Sequence, residues 1–508
     1  MSLSQIPVGS LPPGWAWTTV GDICDLINGR AFKPTEWRLS GLPIVRIQNL
    51  NDPDAEFNFC TAKVEDKYYM DTGQLLFAWS GTPGTSFGAH IWNKGRAVLN
   101  QHIFRVEVAD GCVDKKFLML TLNHNVSEYI QKAHGGAGLA HITKGRFVES
   151  ALAMPPFSEQ RRIVAKIEEL FSQLDAGVEE LKKAKAQLKR YRQSVLKAAF
   201  EGKLTEEWRK QNLTTKTPRH KEGKKPETAH ELLARIREER KKVLGPKYKE
   251  PPPLDTSELP ELPEGWEWAR LSAVTEKIQD GTHFSPTEQY SEPGPDRYPY
   301  VTSKNIRDWG MDLSDITYVS EGDHRPIYDR CDPELDDVLL VKDGVNTGTT
   351  TINTLKGEFS LLSSVALLKP VRDAAAPGFL RHYLASPVGQ RMIAGRMSGT
   401  AIRRIILERI REAPICIAPL PEQTAIAEEI DLRLSVVDAE EKAIEAALRQ
   451  AARVRQSILK RAFEGRLVPQ DPTDEPADRL LERIRAEKAK RAAAPSRARG
   501  RRIAKAGK

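Results

Sequence analysis

Three short stretches carry residue types that could do chemistry. Residues 344–350 read GVNTGTT. The glycine spacing suits a loop whose backbone N–H groups close on a phosphate, but such a loop also needs a Lys after the second Gly. Here Thr349 follows Gly348. Residues 154–159 read MPPFSE, a Pro-Pro-aromatic turn that could offer a side-chain oxygen to an amino group. Met154 stands where that oxygen would have to be, and the matching stretch at 417–422 reads IAPLPE, so both read as lead-ins to a helix. Glu440-Glu441-Lys442 has an acid-x-Lys spacing used for phosphodiester cleavage, yet it sits in a helical heptad without an upstream acidic partner. The ten histidines form no HExxH and no ligand cluster, and no GxSxG elbow occurs. These residues make no catalytic constellation and no metal site, which leaves binding.

A chain of 508 residues exceeds one core and implies two to four domains. No apolar run is long enough to span a bilayer, and the start MSLSQIPVGSLPPGW lacks the basic and apolar parts of a signal peptide. Cys24, Cys60, Cys112, Cys331 and Cys416 are scattered without a CxxC pair, which points to reduced thiols and a cytoplasmic setting. The net charge of +8 is misleading. Residues 488–508 hold nine Lys/Arg and no acid, so the rest of the chain sums to 8 − 9 = −1. That tail reads as disordered, either a phosphate-seeking arm or a solubilising end.

Internal repetition organises the chain. RQSVLKAAFEGKL at 192–204 returns as RQSILKRAFEGRL at 455–467, LPPGWAW at 11–17 as LPEGWEW at 262–268, and PPFSEQ at 155–160 as APLPEQ at 418–423. AHELLARIREERKK at 229–242 returns as ADRLLERIRAEKAK at 477–490. The offset runs from 251 to 263 to 248, so the copies differ by insertion and not by order. A period this long excludes a solenoid and indicates a duplicated two-part module.

The expected fold class is α+β: two mixed domains with irregular sheets, alternating with two long helices. Strand-like runs such as LPIVRI, GQLLFAW, HIFRVEV, DDVLLV and SSVALLKP lie between Gly, Pro and Asp. KKFLMLTLNHNVSEYIQKA and PGFLRHYLASPVGQRMIAG each read as one helix. Stepping by four and three, Ile163, Ile167, Leu170, Leu174, Gly177, Leu181, Ala184, Leu188, Tyr191, Val195 and Ala198 form an apolar or Gly seam. The second seam, Ile426, Ile430, Val437, Ile444, Val454 and Ile458, is noisier, with Leu434 and Ala462 expected to replace Arg433 and Arg461. Each seam covers about 50 Å of helix, long enough that the two should pair with each other. A pseudo-twofold internal repeat makes the pair antiparallel, although the stretch between them leaves a parallel return open. The boundaries are 1–157 and 260–419 for the domains, 158–204 and 420–467 for the long helices, 205–259 for a linker with a short helix at 229–244, 468–487 for a second short helix, and 488–508 for the tail.

In this repeated order the chain resembles the specificity subunits of type I restriction–modification systems. The resemblance rests on the doubled LPxGWxW, PxxEQ and RQS[VI]LKxAFEG[KR]L strings and covers nearly the whole length. It implies two target-recognition domains, each reading half of a bipartite double-stranded DNA site, with the paired helices as the spacer. It also implies two docked modification subunits that carry S-adenosylmethionine, and restriction subunits that use ATP and Mg, with no cofactor on this chain. Divergent domains joined to near-identical helices fit that scheme: two targets, two copies of one partner. The alternatives are a coiled-coil adaptor without DNA specificity and a free-standing repressor.

Base-reading candidates are polar residues near the Gly-rich landmarks. In the first domain they are Gln48, Asn49, Ser80, Thr82, Thr85, His141, Lys144 and Arg146; in the second, Ser303, Lys304, Asn305, Lys342, Asn346, Thr347, Arg403 and Arg404. Arg and Lys donate to guanine and Asn and Gln pair with adenine, and all can hold phosphate instead. Trp15, Trp17, Trp266 and Trp268 read as core aromatics. Leu232, Leu233 and Ile236, with Leu480, Leu481 and Ile484 in the second copy, make one apolar helix face. That face either docks a partner or packs back on the chain.

Overall fold

The structure is a computed structural model that describes residues 11–52, 54–81, 85–131, 140–212, 227–394 and 404–493. Thr82, Arg403, residues 213–226 and the tail beyond Ala493 lie outside the described residues, and His141 is described by its backbone alone. Among the described residues, no helix is long and apolar enough to cross a membrane.

Two compact units divide the chain, Met1–Leu181 with Ala446–Lys508, and Lys182–Glu445. The division cuts both long helices, Phe157–Phe200 and Leu420–Phe463. Each unit therefore holds one domain, the first half of the long helix that follows it, and the last half of the other. A short helix completes each set, Ala477–Ala493 in the first unit and Ala229–Leu244 in the second.

The domains share a plan. In the first, Cys24–Asn28, Ile103–Val108, Leu75–Ala78 and Gly88–Ile91 form an antiparallel sheet in that order. Thr275–Asp280, Val365–Pro370, Val338–Val341 and Thr350–Ile352 repeat it in the second. The interior strands Leu75–Ala78 and Val338–Val341 are buried at every residue, which is why they read as unbroken apolar runs and not as alternation. Ala16–Thr19 pairs with Ala151–Met154, and Glu267–Arg270 with Pro414–Ile417. Chain entry and exit thus lie side by side, and each long helix starts where its domain closes.

The helix expected after the sheet is two helices in each domain, Lys115–His124 with Val126–Gln131 and Pro377–Ala385 with Pro387–Ala394. In the second copy the break follows from Ser386-Pro387, since proline disfavours helical geometry in the residue before it.

Helix pairing is antiparallel inside each unit. In the second unit Lys185 pairs with Glu445 at 2.8 Å, while Arg192, further along, pairs with Asp438 and Glu441, further back. In the first unit Asp175 pairs with Arg455, and Ile163 packs in one cluster with Ala462. The seam differs from expectation in its middle. Gly177 and Tyr191 are exposed, and Val178 and Arg192 take the inward places. A straight helix of 3.6 residues per turn drifts from a strict 3.5 pattern. Leu170, Leu174, Leu181, Leu188, Ile444, Val454 and Ile458 are half-buried, as two strands alone allow. Ile163, Ile167, Val195, Ile426 and Ile430 are buried because domain residues cover them, Val437 is buried as well, and Leu434 and Ala462 do fill the places of Arg433 and Arg461.

Candidate nucleic-acid interface and the joint beneath it

In the second domain, Thr275–Asp280 and Val338–Val341 both run antiparallel to Val365–Pro370, so their C-terminal ends share one sheet edge. The loops 281–284 and 342–349 leave from that edge. Arg404 bridges Asp343, and Ile405 N–H donates to the Lys342 carbonyl at 2.8 Å. In the first domain Ser80 and Gly81 pair with His141 and Ala140 in the same way, and Ile142 N–H donates to the Trp79 carbonyl at 3.1 Å. Stretches more than fifty residues apart are thus joined at one end of each sheet. Lys144 and Arg146 follow on from that contact in the first domain. The Leu362 N–H reaches the Val301 carbonyl at 3.0 Å while Leu362 bridges Thr282, so the turn with Ser303, Lys304 and Asn305 starts beside the same edge.

Exposure sorts the candidates. Gln48, Thr85, Lys144, Arg146, Lys304 and Arg404 are exposed, and Ser303, Asn346 and Thr347 are half-buried. Asn49, Ser80, Asn305 and Lys342 are buried and correct the expectation that they read bases. Asn49 accepts from Arg46 N–H at 3.0 Å and donates to the Glu56 carbonyl at 3.1 Å; Asn305 accepts from Thr302 N–H at 2.9 Å and donates to the Asp312 carbonyl at 3.0 Å. These two asparagines brace equivalent turns. Lys342 meets Asp280 at 3.2 Å, and Arg330 meets the same carboxylate at 2.8 Å. Burial alone would raise the Asp280 pKa, but the hydrogen bonds and charge of those cations hold it below its ordinary value. The Asp280–Lys342 pair fixes the bases of the two loops to each other.

The repeated motifs meet beneath each domain. Trp266 Nε1 donates to Glu422 at 2.9 Å, and Trp15 Nε1 donates to Glu159 at 3.1 Å. The neighbouring Gln423 donates to the Ala374 and Ala418 carbonyls, both at 2.9 Å, and accepts from Ala376 N–H at 3.0 Å. Gln160 does the same with the Cys112 and Pro155 carbonyls and Asp114 N–H. Gly202 and Gly465 end the long helices at φ +70° and +67°, where a side chain would also collide with Pro263 or Pro12. Ala229 N–H donates to the Gly265 carbonyl at 2.9 Å and Ala477 N–H to Gly14 at 2.8 Å, seating the short helices on the GW turn. LPxGW, PxxEQ, AFEGxL and AxxLLxRIR are therefore parts of one joint, built twice.

That joint corrects the docking expectation. Leu232, Leu233 and Ile236 lie in the core that contains Trp266 and Phe200, and Leu480, Leu481 and Ile484 in the core that contains Trp15 and Met154. The face is used within the chain. Trp15 and Trp266 are core aromatics, as expected, each with its indole N–H satisfied.

Comparison with known proteins agrees with this arrangement. Residues 12–190 match the family described as the type I restriction modification DNA specificity domain. The type I restriction enzyme EcoBI specificity subunit of Escherichia coli is 24% identical over 493 residues, covering 94% of each chain. The EcoDI specificity subunit of Escherichia coli is 25% identical over 508 residues, covering 95% of this chain and 97% of that one. A chain from a solved type I R-M system superposes with a TM-score of 0.62 at 18% identity, over 90% of this chain and all of that one, which shows the fold. The chain is thus similar to type I restriction enzyme specificity subunits over nearly its whole length, and its residues 12–190 to their DNA specificity domain.

Two features of the site could not be read from the sequence. One is the Trp–Glu clasp, signalled only by GW and EQ recurring together. The other is a set of cations laid on aromatic rings in the first domain: Arg30 over Phe32 at 4.7 Å, Arg46 over Trp37 at 5.1 Å and Arg96 over Tyr69 at 4.9 Å. Alternating basic and aromatic residues between 30 and 96 were the available signal. Among the described residues no group of three or more metal-ligating side chains occurs.

Proposed function

We propose that this chain is the non-catalytic recognition subunit of a type I restriction–modification complex. Its two domains each read one half of a bipartite site in double-stranded DNA, and the long helices set the gap. Two modification subunits dock on the chain and supply S-adenosylmethionine, while restriction subunits supply ATP–Mg chemistry. Of the candidates above, Gln48, Thr85, Lys144, Arg146, Ser303, Lys304, Asn346, Thr347 and Arg404 are not buried and stay candidates for contacts to bases or phosphates.

One observation carries this reading. At the helix ends the two copies agree where folding does not require it. Gln193, Ser194, Lys197 and Glu201 are exposed, and so are Gln456, Ser457, Lys460 and Glu464. The ion pairs repeat as well, Lys197–Glu201 at 3.7 Å and Lys460–Glu464 at 3.9 Å. Earlier exposed positions include Glu169 against Leu432, Gln173 against Val436, Glu179 against Lys442 and Lys182 against Glu445. Exposed ion pairs of this kind add little stability, so the repetition supports two docking patches for one kind of partner. The recognition loops, by contrast, differ between copies, as two half-sites require.

Selection from randomised duplex DNA, with and without a co-expressed methyltransferase, tests the reading. A split motif with a fixed gap is expected, and no enrichment with the partner present rules the reading out. For docking, Gln193→Ala with Lys197→Glu should remove one modification subunit from the complex by native mass. Adding the same changes at Gln456 and Lys460 should remove both. Unchanged stoichiometry overturns the docking assignment.

A further inference from the structure

The hairpin tip of the second domain carries an apolar side chain that the fold does not use. Thr350–Ile352 pairs with Val338–Val341, and the loop between them closes through Val341 N–H to the Thr349 carbonyl at 2.9 Å and Gly348 N–H to the Val341 carbonyl at 2.8 Å. Within the loop, Thr347 N–H donates to the Gly344 carbonyl at 3.2 Å and Thr347 Oγ1 donates to it at 2.6 Å. Residues 344–347 therefore form a tight turn whose two central residues are Val345 and Asn346. Gln390 supports the loop from below, donating to the Gly348 carbonyl at 2.9 Å. Val345 is fully exposed, at 102% of its reference area. A branched apolar residue held on a braced turn with no protein contact is displayed, not packed.

The surroundings indicate what meets it. The tip stands at the sheet edge shared with Arg404 and with the loop that holds His283 and Phe284. Phe284 and Ile406 are also half-exposed there, at 51% and 52%. Apolar points among an amide, a guanidinium and an imidazole suit a surface that is polar but studded with methyl groups. The major groove of DNA is such a surface: thymine offers its 5-methyl group, and adenine offers a donor and an acceptor that match an Asn amide. A protein partner of the kind proposed above does not fit, because it would require the same tip in both domains.

We infer that Val345 and Asn346 read an A·T pair or an adjacent A/T step in the second half-site, Val345 covering a thymine 5-methyl group and Asn346 pairing with adenine. This rests on the proposed function and names the contact made at that site. The test uses the full chain with its modification partner, bound to its selected site. Each thymine in the site is replaced in turn by uracil, which removes only the methyl group. One position should weaken binding by about fourfold, one buried methyl's worth. In Val345→Ala, thymine and uracil should bind alike at that position, while the other half-site and the gap stay unchanged. Asn346→Ala should relax discrimination at the same or the neighbouring pair by about tenfold. If no uracil matters, or if the sensitive position is unchanged in Val345→Ala, the inference is overturned while the specificity reading stands. If no split motif is selected at all, the specificity reading itself has failed.

Discussion

The two joints share a backbone plan and differ in how they hold one carboxylate. In the second unit Glu422 is fully buried and meets Arg209 at 2.5 Å, the Thr205 hydroxyl at 2.7 Å and the Trp266 indole. In the first, Glu159 meets the Trp15 indole and the neutral amide of Gln470 at 3.3 Å, and the cation nearby, Arg162, is paired with Asp474 at 2.7 Å. Burial raises the Glu159 pKa, against the hydrogen bonds from Trp15 and Gln470 that lower it. A duplicated motif can thus preserve geometry while its electrostatics diverge. Arg209 comes from the helix after FEGKLT; the first-unit counterpart, after FEGRLV, brings Gln470 instead.

Removing the charged partner should separate the joints most. Glu422→Ala leaves Arg209 without its buried carboxylate and the Trp266 indole without its acceptor, and should cost about 3 kcal/mol. In the full chain this should appear as faster amide exchange in Glu267–Arg270, with Ala16–Thr19 little changed. Equal loss in both strands would mean that the joints are not independent.

The glycines test where the joints agree. Gly202→Ala and Gly465→Ala meet the same left-handed backbone and equivalent proline rings, Pro263 and Pro12, so each should lose about 2 kcal/mol, read by denaturant midpoint. A loss in one alone would break the structural equivalence.

A pH series sharpens the electrostatic difference. Because the Glu159 pKa is raised in the folded protein, the folded state binds that proton more tightly than the unfolded chain does. Lowering the pH from neutral through the folded value should stabilise the first joint, with the gain complete below the unfolded value near 4.5. Glu159→Gln should flatten that dependence and be tolerated at neutral pH. Amide exchange across Ala16–Thr19 that slows as pH falls in Glu159→Gln as much as in the parent, after correction for intrinsic rates, would count against it.

The smallest effects lie where the domain helices touch the long helices. Buried His382 meets Asp431 at 2.8 Å, and burial keeps its imidazole pKa low despite that carboxylate. At the matching place in the first unit, exposed Lys116 meets Glu168 at 2.5 Å. His382→Leu should lower the denaturation midpoint measurably, about 1 kcal/mol for a lost buried hydrogen bond, whereas Lys116→Ala should leave it unmoved.

Repetition and periodicity made much of this legible. Ile163 through Val195 announced a long helix, Gly202 its end, and the doubled strings a doubled architecture. The heptads marked the seam, but its buried ends come from the domain residues that cover them. What could not be read was how far a polar residue stands from solvent. Asn305 and Lys342 have the side chains of base readers, yet one braces a turn and the other neutralises Asp280. Asp280 reaches Lys342 only through sheet pairing, and the Asn305 brace depends on a turn closing on Asp312, which residue type alone does not announce. Val345 escaped notice for the opposite reason: apolar side chains are assumed to be inside.

The sequence by itself determined the elements and their duplication, since helical heptads, turn glycines and strand runs are local or periodic signals. Tertiary structure alone decided which motifs meet. Trp15 with Glu159, Gly465 with Pro12 and Arg404 with Asp343 are contacts between residues far apart in the chain. They are set by the closure of the domain and by antiparallel helix pairing, which no local pattern encodes.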